Sequence, residues 1–459
     1  MYFCAGFSFF GGCSIIYYLK DSKIYANRER EIAMINVELS SIWSCVSLPQ
    51  LLACEKDLFD AHLHLRSNQP GAPEFLGWLG QPDAVTAKTI HAIRKACETI
   101  AGQCDTLVVA GSGEGYLAAK AGVEMLGGRY RNLLDSRMRI LFTGDSLASS
   151  DWIALCRLLE GHEFCLLLLS REGAELEMCT ASRALRWLME RRYGQGAKQR
   201  VYLSALPESP LAVMAKEEGF TYLPMAQCLG GGVSALNAGT LLVLAAAGID
   251  PLGVLEGAAE GFSQYDLRAF ENPVWMYAGA RYALIQKGRS TEFLGCFTPD
   301  FGAFGAWWQQ YFLRHTCREG AGAMPVYLPL PGALDALDTV AQGGDRRVFE
   351  TLLQVPERCF QKVNIEMDWK DYDGLGFLAG KTLLDAQEGS FQAVLQAHTD
   401  LDVPVIQVSM QTLDAAGVGE LFYFFELAGA ISACACGADP FDGACAGASR
   451  ALAKQLLGG

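Results

Sequence analysis

Seven consecutive uncharged residues, Phe164–Ser170 (FCLLLLS), constrain this chain more than any other feature. A strand that is apolar on both faces must be covered on both, which is the situation of a parallel sheet between two helical layers. Similar short runs recur at Thr106–Ala110 (TLVVA), Arg139–Thr143 (RILFT), Val201–Ser204 and Val403–Met410 (VPVIQVSM). Helical patterns stand between and after them, at Tyr116–Leu126 and, as a long apolar stretch, at Ala415–Cys436. A glycine-rich stretch, Gly230–Gly232, and a helical connector, Ala235–Ala247, separate two such series. The expected fold is α/β, with two doubly wound parallel sheets in tandem, each a three-layer α/β/α domain.

Length agrees, since 459 residues exceed the roughly 250–300 at which a single core stops growing. The expected domains are residues 34–250, with leading helices, and residues 251–459, with a C-terminal helical tail. Residues 1–33 are expected to be a non-native upstream extension. Met1–Leu19 has no charge, no basic n-region and three glycines, which makes it marginal as a membrane span. Arg28-Glu29-Arg30-Glu31 can be encoded by purines alone just ahead of Met34, as a translated ribosome-binding site would be.

A net charge of −14 without any long Lys/Arg run argues against nucleic acid as a partner, and no membrane partner is expected. The 16 cysteines are mostly single and lack any CxxC; Cys434 and Cys436 form one CxC. They read as thiols of a reducing cytoplasm, with no metal or cofactor expected. Gly111-x-Gly113-x-Gly115 follows a strand, yet Tyr116 stands where a dinucleotide fingerprint needs its third glycine. The motif alone says that the backbone passes close to a ligand or a neighbouring helix. His91 falls off the apolar face of its helix, and His62 and His64 lie in a helical stretch without metal-ligand spacing.

Several stretches together resemble the glucose-6-phosphate isomerase family. They are Phe75-Leu76-Gly77-Trp78-Leu79, Asn272-Pro273 with Tyr277-Ala278 and Arg281, Trp307-Trp308-Gln309-Gln310, and Asp373-Gly374-Leu375 with Leu378–Thr382. Ala397-His398-Thr399-Asp400 and Pro440-Phe441-Asp442 complete the series. The resemblance implies two sugar-isomerase-type domains, a homodimer whose subunits complete each other's sites, and interconversion of glucose 6-phosphate and fructose 6-phosphate through an enediol. In that chemistry a Glu base moves the proton, an Arg stabilises the oxyanion, and a His and a Lys assist ring opening.

Carried over position by position, the resemblance places the base at Arg314, the oxyanion Arg at Gly232, the His at Asp335 and the Lys at Arg450. The Gln after the PFD element is Gly443, and Gln310 is retained. The phosphate loop corresponds to Ser170-Arg171-Glu172-Gly173-Ala174-Glu175, which keeps Ser170 and Gly173. Gly111-Ser112-Gly113-Glu114-Gly115 is the second loop of the substrate site, without its Ser. Glu172 and Glu175 are expected to fill the place of the phosphate, which argues against a sugar phosphate as ligand. Glu319 reads as a loop residue rather than a displaced base, and Lys381, Thr382 and His398 as scaffold. The expectation is a catalytically impaired or non-catalytic binding or regulatory relative; the alternative is an active aldose–ketose isomerase with a rebuilt site.

Overall fold

The structure is a computed structural model that describes residues 35–66, 82–134, 137–225, 235–317, 320–356, 362–440 and 447–458. The proposed extension 1–33, Met34, Gly232, Glu319, Gly443 and the Phe75–Leu79 element lie outside the described residues.

The apolar runs form the strands expected of them. β2 (Thr106–Gly111), β3 (Arg139–Thr143), β4 (Phe164–Leu169), β5 (Val201–Ala205) and β6 (Thr221–Pro224) make one sheet in the order β3-β2-β4-β5-β6. All its pairings are parallel. β2 and β4 occupy its interior and are buried throughout, which is why they carry no charge. One face of β4 presents Phe164, Leu166 and Leu168 to Met178, Leu185 and Met189 of the helix Leu176–Tyr193.

A second sheet has the order β8-β7-β9-β10-β1, from β7 (Thr291–Cys296), β8 (Met324–Pro329), β9 (Val348–Gln354), β10 (Val405–Met410) and β1 (Ile35–Glu38). Apart from β1, the strands repeat the order of the first sheet. β1 runs antiparallel to β10. The domain boundary expected at residue 250 therefore does not describe the leading strand, which closes the edge of the later sheet.

Two of the element limits that differ from expectation have a local cause. β10 starts at Val405 because Pro404 has no N–H for a ladder, although its carbonyl still accepts from Glu350 N at 2.9 Å. The connector helix starts at Ala238, because the Asn237 side chain accepts from the N–H groups of Gly239 and Thr240 and so caps it.

The helix Ala415–Ala435 is apolar on all sides and passes by length and composition for a membrane span, yet 89% of that apolar window is buried inside the fold. It lies against the helix Pro251–Gln264 at glycine contacts: a Cβ on Gly419 would fall 1.8 Å from Val254 O, and one on Gly257 would fall 1.9 Å from Ala416 O. On another side it meets the helix Gly302–His315, where Trp307 packs edge-on to Phe422 at 4.7 Å. That packing holds the end of the Gly302–His315 helix, with Arg314 and His315, against the first sheet's loops.

Candidate functional site

In a doubly wound sheet the loops leaving two neighbouring strands diverge where the strand order reverses, and ligands bind in that crevice. In the first sheet the reversal lies between β2 and β4. The two loops there are Gly111–Gly115 and Ser170–Glu175, the same two that the family resemblance assigns to the substrate.

Gly111 ends β2 so close to β4 that a Cβ would lie 2.2 Å from the Leu169 carbonyl oxygen, and a Cβ on Gly115 would lie 2.7 Å from the Asn237 side-chain amide. Strand and helix packing thus account for the glycine motif. Gly113, at φ 82°, turns the chain into the helix Glu114–Gly127. Tyr116, at the position that breaks the dinucleotide pattern, is buried and donates to Asp145 at 3.3 Å. Burial and the Asp145 carboxylate raise the pKa of its phenol well above the usual range.

Glu114 opens that helix, where a carboxylate is favoured by the helix dipole. Its side chain is only 3% exposed and faces Arg314 at 3.6 Å and His315 Nε2 at 3.5 Å. His315 is held from its other side, with Nδ1 3.0 Å from the Pro440 carbonyl oxygen. Arg314 is partly open to solvent. The position assigned to the base therefore carries a cation, and the carboxylate opposite it comes from the Gly111–Gly115 loop.

The second loop is closed by its own side chains. Ser170 donates to Glu175 at 2.6 Å and accepts from the Gly173 N–H at 2.9 Å. Glu175 is buried and precedes the helix Leu176–Tyr193 without capping it through its side chain. Arg450, on the helix Ala448–Leu456, reaches it at 3.9 Å. Glu172 turns outward and pairs with Arg171 at the surface. Of the two glutamates, one lies inside the loop and the other in solvent.

Gln310 and Asp335 are both exposed, the former on the Gly302–His315 helix and the latter in the first turn of the helix Leu334–Gln342. Gln309, its neighbour, is the one that accepts from a backbone N–H, that of Tyr327 at 2.9 Å. Thr382 caps the helix Leu383–Asp400 together with Asp385. His398, on that helix, is buried between Glu350 (2.9 Å) and Asp338 (2.8 Å). His62 lies in the helix Glu55–Arg66 and accepts from Trp275 Nε1 at 2.8 Å; burial drives its pKa down to about 3. His91 is exposed.

Among the described residues no three His, Cys, Asp or Glu side chains come together as a metal site. A cavity of about 380 Å³ touches Pro440 but is lined by Asp57, Asp60, His64 and Asp439, a surface that repels anions. The pairings Glu114–Arg314 and Glu175–Arg450 are what sequence reasoning missed. A signal was present for the first pair: a carboxylate at 114 and a cation at 314 had entered separate motifs where the family has no charge of that sign.

No family model matches the chain. It is 38% identical to the glucose-6-phosphate isomerase of Symbiobacterium thermophilum over 388 residues, covering 83% of this chain and 86% of that protein. To the glucose-6-phosphate isomerase of Bacillus cytotoxicus it is 32% identical over 417 residues, covering 89% and 92%. Among solved structures, a hypothetical protein from Thermus thermophilus shares the fold with a TM-score of 0.78 at 20% identity, over 92% of this chain and all of that one. The Chlamydia trachomatis glucose-6-phosphate isomerase does so with a TM-score of 0.75 at 16% identity, over 93% and 89%.

Proposed function

The chain belongs to the glucose-6-phosphate isomerase family, and from that premise we propose that it is a member that no longer isomerises sugar phosphates and serves as a binding or regulatory protein. The observation that carries this reading is the Glu114–Arg314 pair. An aldose–ketose isomerase needs a carboxylate free to take the C2 proton. A guanidinium at that place has no proton to exchange near neutral pH, and the carboxylate within reach is already paired with it. Glu175, turned into the phosphate loop, adds to the same reading.

One observation favours the alternative. Glu114 and Arg314 still offer a base and a cation in one crevice, with their places exchanged. A coupled assay in both directions separates the readings. The purified chain is expected to show no turnover with glucose 6-phosphate or fructose 6-phosphate. Turnover on the order of 1–10³ per second would overturn the proposal, and its loss in Glu114→Gln would establish the rebuilt site.

A homodimer in the cytoplasm is part of the proposal. In support, the stretch from Val363 to Leu384 stands out from the fold with Trp369 89%, Tyr372 83% and Phe377 66% exposed, more apolar surface than a monomer usually leaves in water. Sedimentation of the wild type against Trp369→Ala with Tyr372→Ala tests it: an unchanged mass would remove this segment from the interface.

A further inference from the structure

We propose that the helix Ala448–Leu456 is a strap that closes the Ser170–Glu175 loop, latched by the Arg450–Glu175 ion pair and released by an oxyanion that takes Arg450. Such a strap regulates the same crevice that the proposed function takes as the ligand site, and so rests on that reading.

The helix is docked the wrong way round for burial. Arg450 and Lys454 lie one turn apart on one face, and Leu452 and Leu456 on another. A surface helix usually turns such an apolar stripe to the core and its charges to water. Here Arg450 reaches Glu175 at 3.9 Å, while Leu452 is 55% and Leu456 77% exposed. None of the nine residues is buried, and Gly447 at the start supplies no side-chain cap. A helix of this length does not hold by itself in water, where about 12–15 residues are already marginal. What is left to hold it is chiefly charge, and an ion pair at that distance with one exposed partner is weak.

The two partners of the latch are unequal. The Glu175 side chain is 11% exposed and accepts from Ser170 at 2.6 Å on its inner side, whereas Arg450 is 52% exposed. An anion arriving from solvent therefore meets the cation first, and Glu175 stays with Ser170 when Arg450 leaves. A guanidinium takes phosphate and carboxylate oxygens in pairs, and Lys454 adds a second positive charge on the same face. Ahead of the helix the chain is tied separately, with the Pro440 carbonyl oxygen 3.0 Å from His315 Nδ1. That tie is buried and involves neither latch residue, so losing the latch frees the helix alone.

The test is hydrogen–deuterium exchange of the full chain, read by mass spectrometry over residues 447–458 and 170–175. In Arg450→Gln both segments should exchange about twofold to fivefold faster than in the wild type, the range of an exposed ion pair. Arg450→Lys, which keeps the charge, should keep the protection. In the wild type, inorganic phosphate added at constant ionic strength should produce the same acceleration and saturate, and it should add nothing to Arg450→Gln. Circular dichroism confirms the fold of both surface variants. Equal exchange in wild type and Arg450→Gln would overturn the latch, and sodium chloride acting as strongly as phosphate would overturn release by an oxyanion. The readout needs no turnover. Activity toward sugar phosphates would sink the non-catalytic reading and leave the strap standing, whereas a helix that does not respond would sink the strap alone.

Discussion

Replacing Arg314 by glutamate, the residue that the family resemblance assigns to its position, is expected to destabilise this protein rather than repair it. Arg314 lies 3.6 Å from Glu114. Two unit charges at that distance and an effective dielectric near 20 interact by about 4–5 kcal/mol. The Arg314 side chain is 29% exposed, so solvent reduces the attraction to about 1–3 kcal/mol. Arg314→Glu loses that attraction and sets two carboxylates against each other beside His315, for a total cost of about 3–5 kcal/mol.

Glu114→Gly alone is expected to cost about 1–2 kcal/mol, because Arg314 can turn to water. The double variant should regain most of the loss, leaving a coupling energy of at least about 2 kcal/mol between the two positions. Urea unfolding followed by tryptophan fluorescence and circular dichroism measures all four corners of the cycle. Additive single effects would refute the reasoning, for they would show that the two charges do not hold each other in solution. The double variant should also remain inactive, since Gly232 and Asp335 still lack the family's groups.

His398 supplies a pH test. Burial opposes its charged form, but the Glu350 and Asp338 carboxylates outweigh burial and hold its pKa above the ordinary 6.5. A raised pKa in the fold adds stability that is complete below about 6.5 and is lost as pH rises through the folded value. The melting temperature of His398→Gln should therefore lie furthest below the wild type near pH 6 and approach it at higher pH; a gap that widens with pH would contradict the assignment. In calorimetry, glucose 6-phosphate should bind the unmodified chain more weakly than millimolar. Glu175→Thr with Glu172→Ser should bring weak binding without turnover, and tight binding by the wild type would show the loop to be open.

How much of this could be read in the sequence follows from where charges lie. β2, β3, β4, β5 and β10 were legible because their residues meet apolar neighbours on both faces, so hydrophobicity alone marks them. β7 and β9 were not, because Glu292 and Glu350 interrupt their apolar runs. Both are fully buried and satisfied only in three dimensions: Glu292 by Arg281 at 2.6 Å, Tyr277 and Thr351 at 2.7 Å, and Glu350 by His398. β1 escaped notice because its partner, β10, lies some 370 residues away, and nothing local announces a strand that borrows its edge. The candidate site divides in the same way. Each departure from the family pattern was visible singly at Arg314, Glu175 and Arg450, because a motif is a local object. That the cation at 314 answers the carboxylate at 114, and Arg450 the carboxylate at 175, depends on a sheet that brings two loops and two helices together. Taken singly the substitutions read as loss; in the fold the carboxylate at 114 faces the cation at 314, and the one at 175 the cation at 450. Only the cation at 314 is new, since the family resemblance has a Lys at 450, so Glu114–Arg314 is the pair in which both charges depart from the family pattern together.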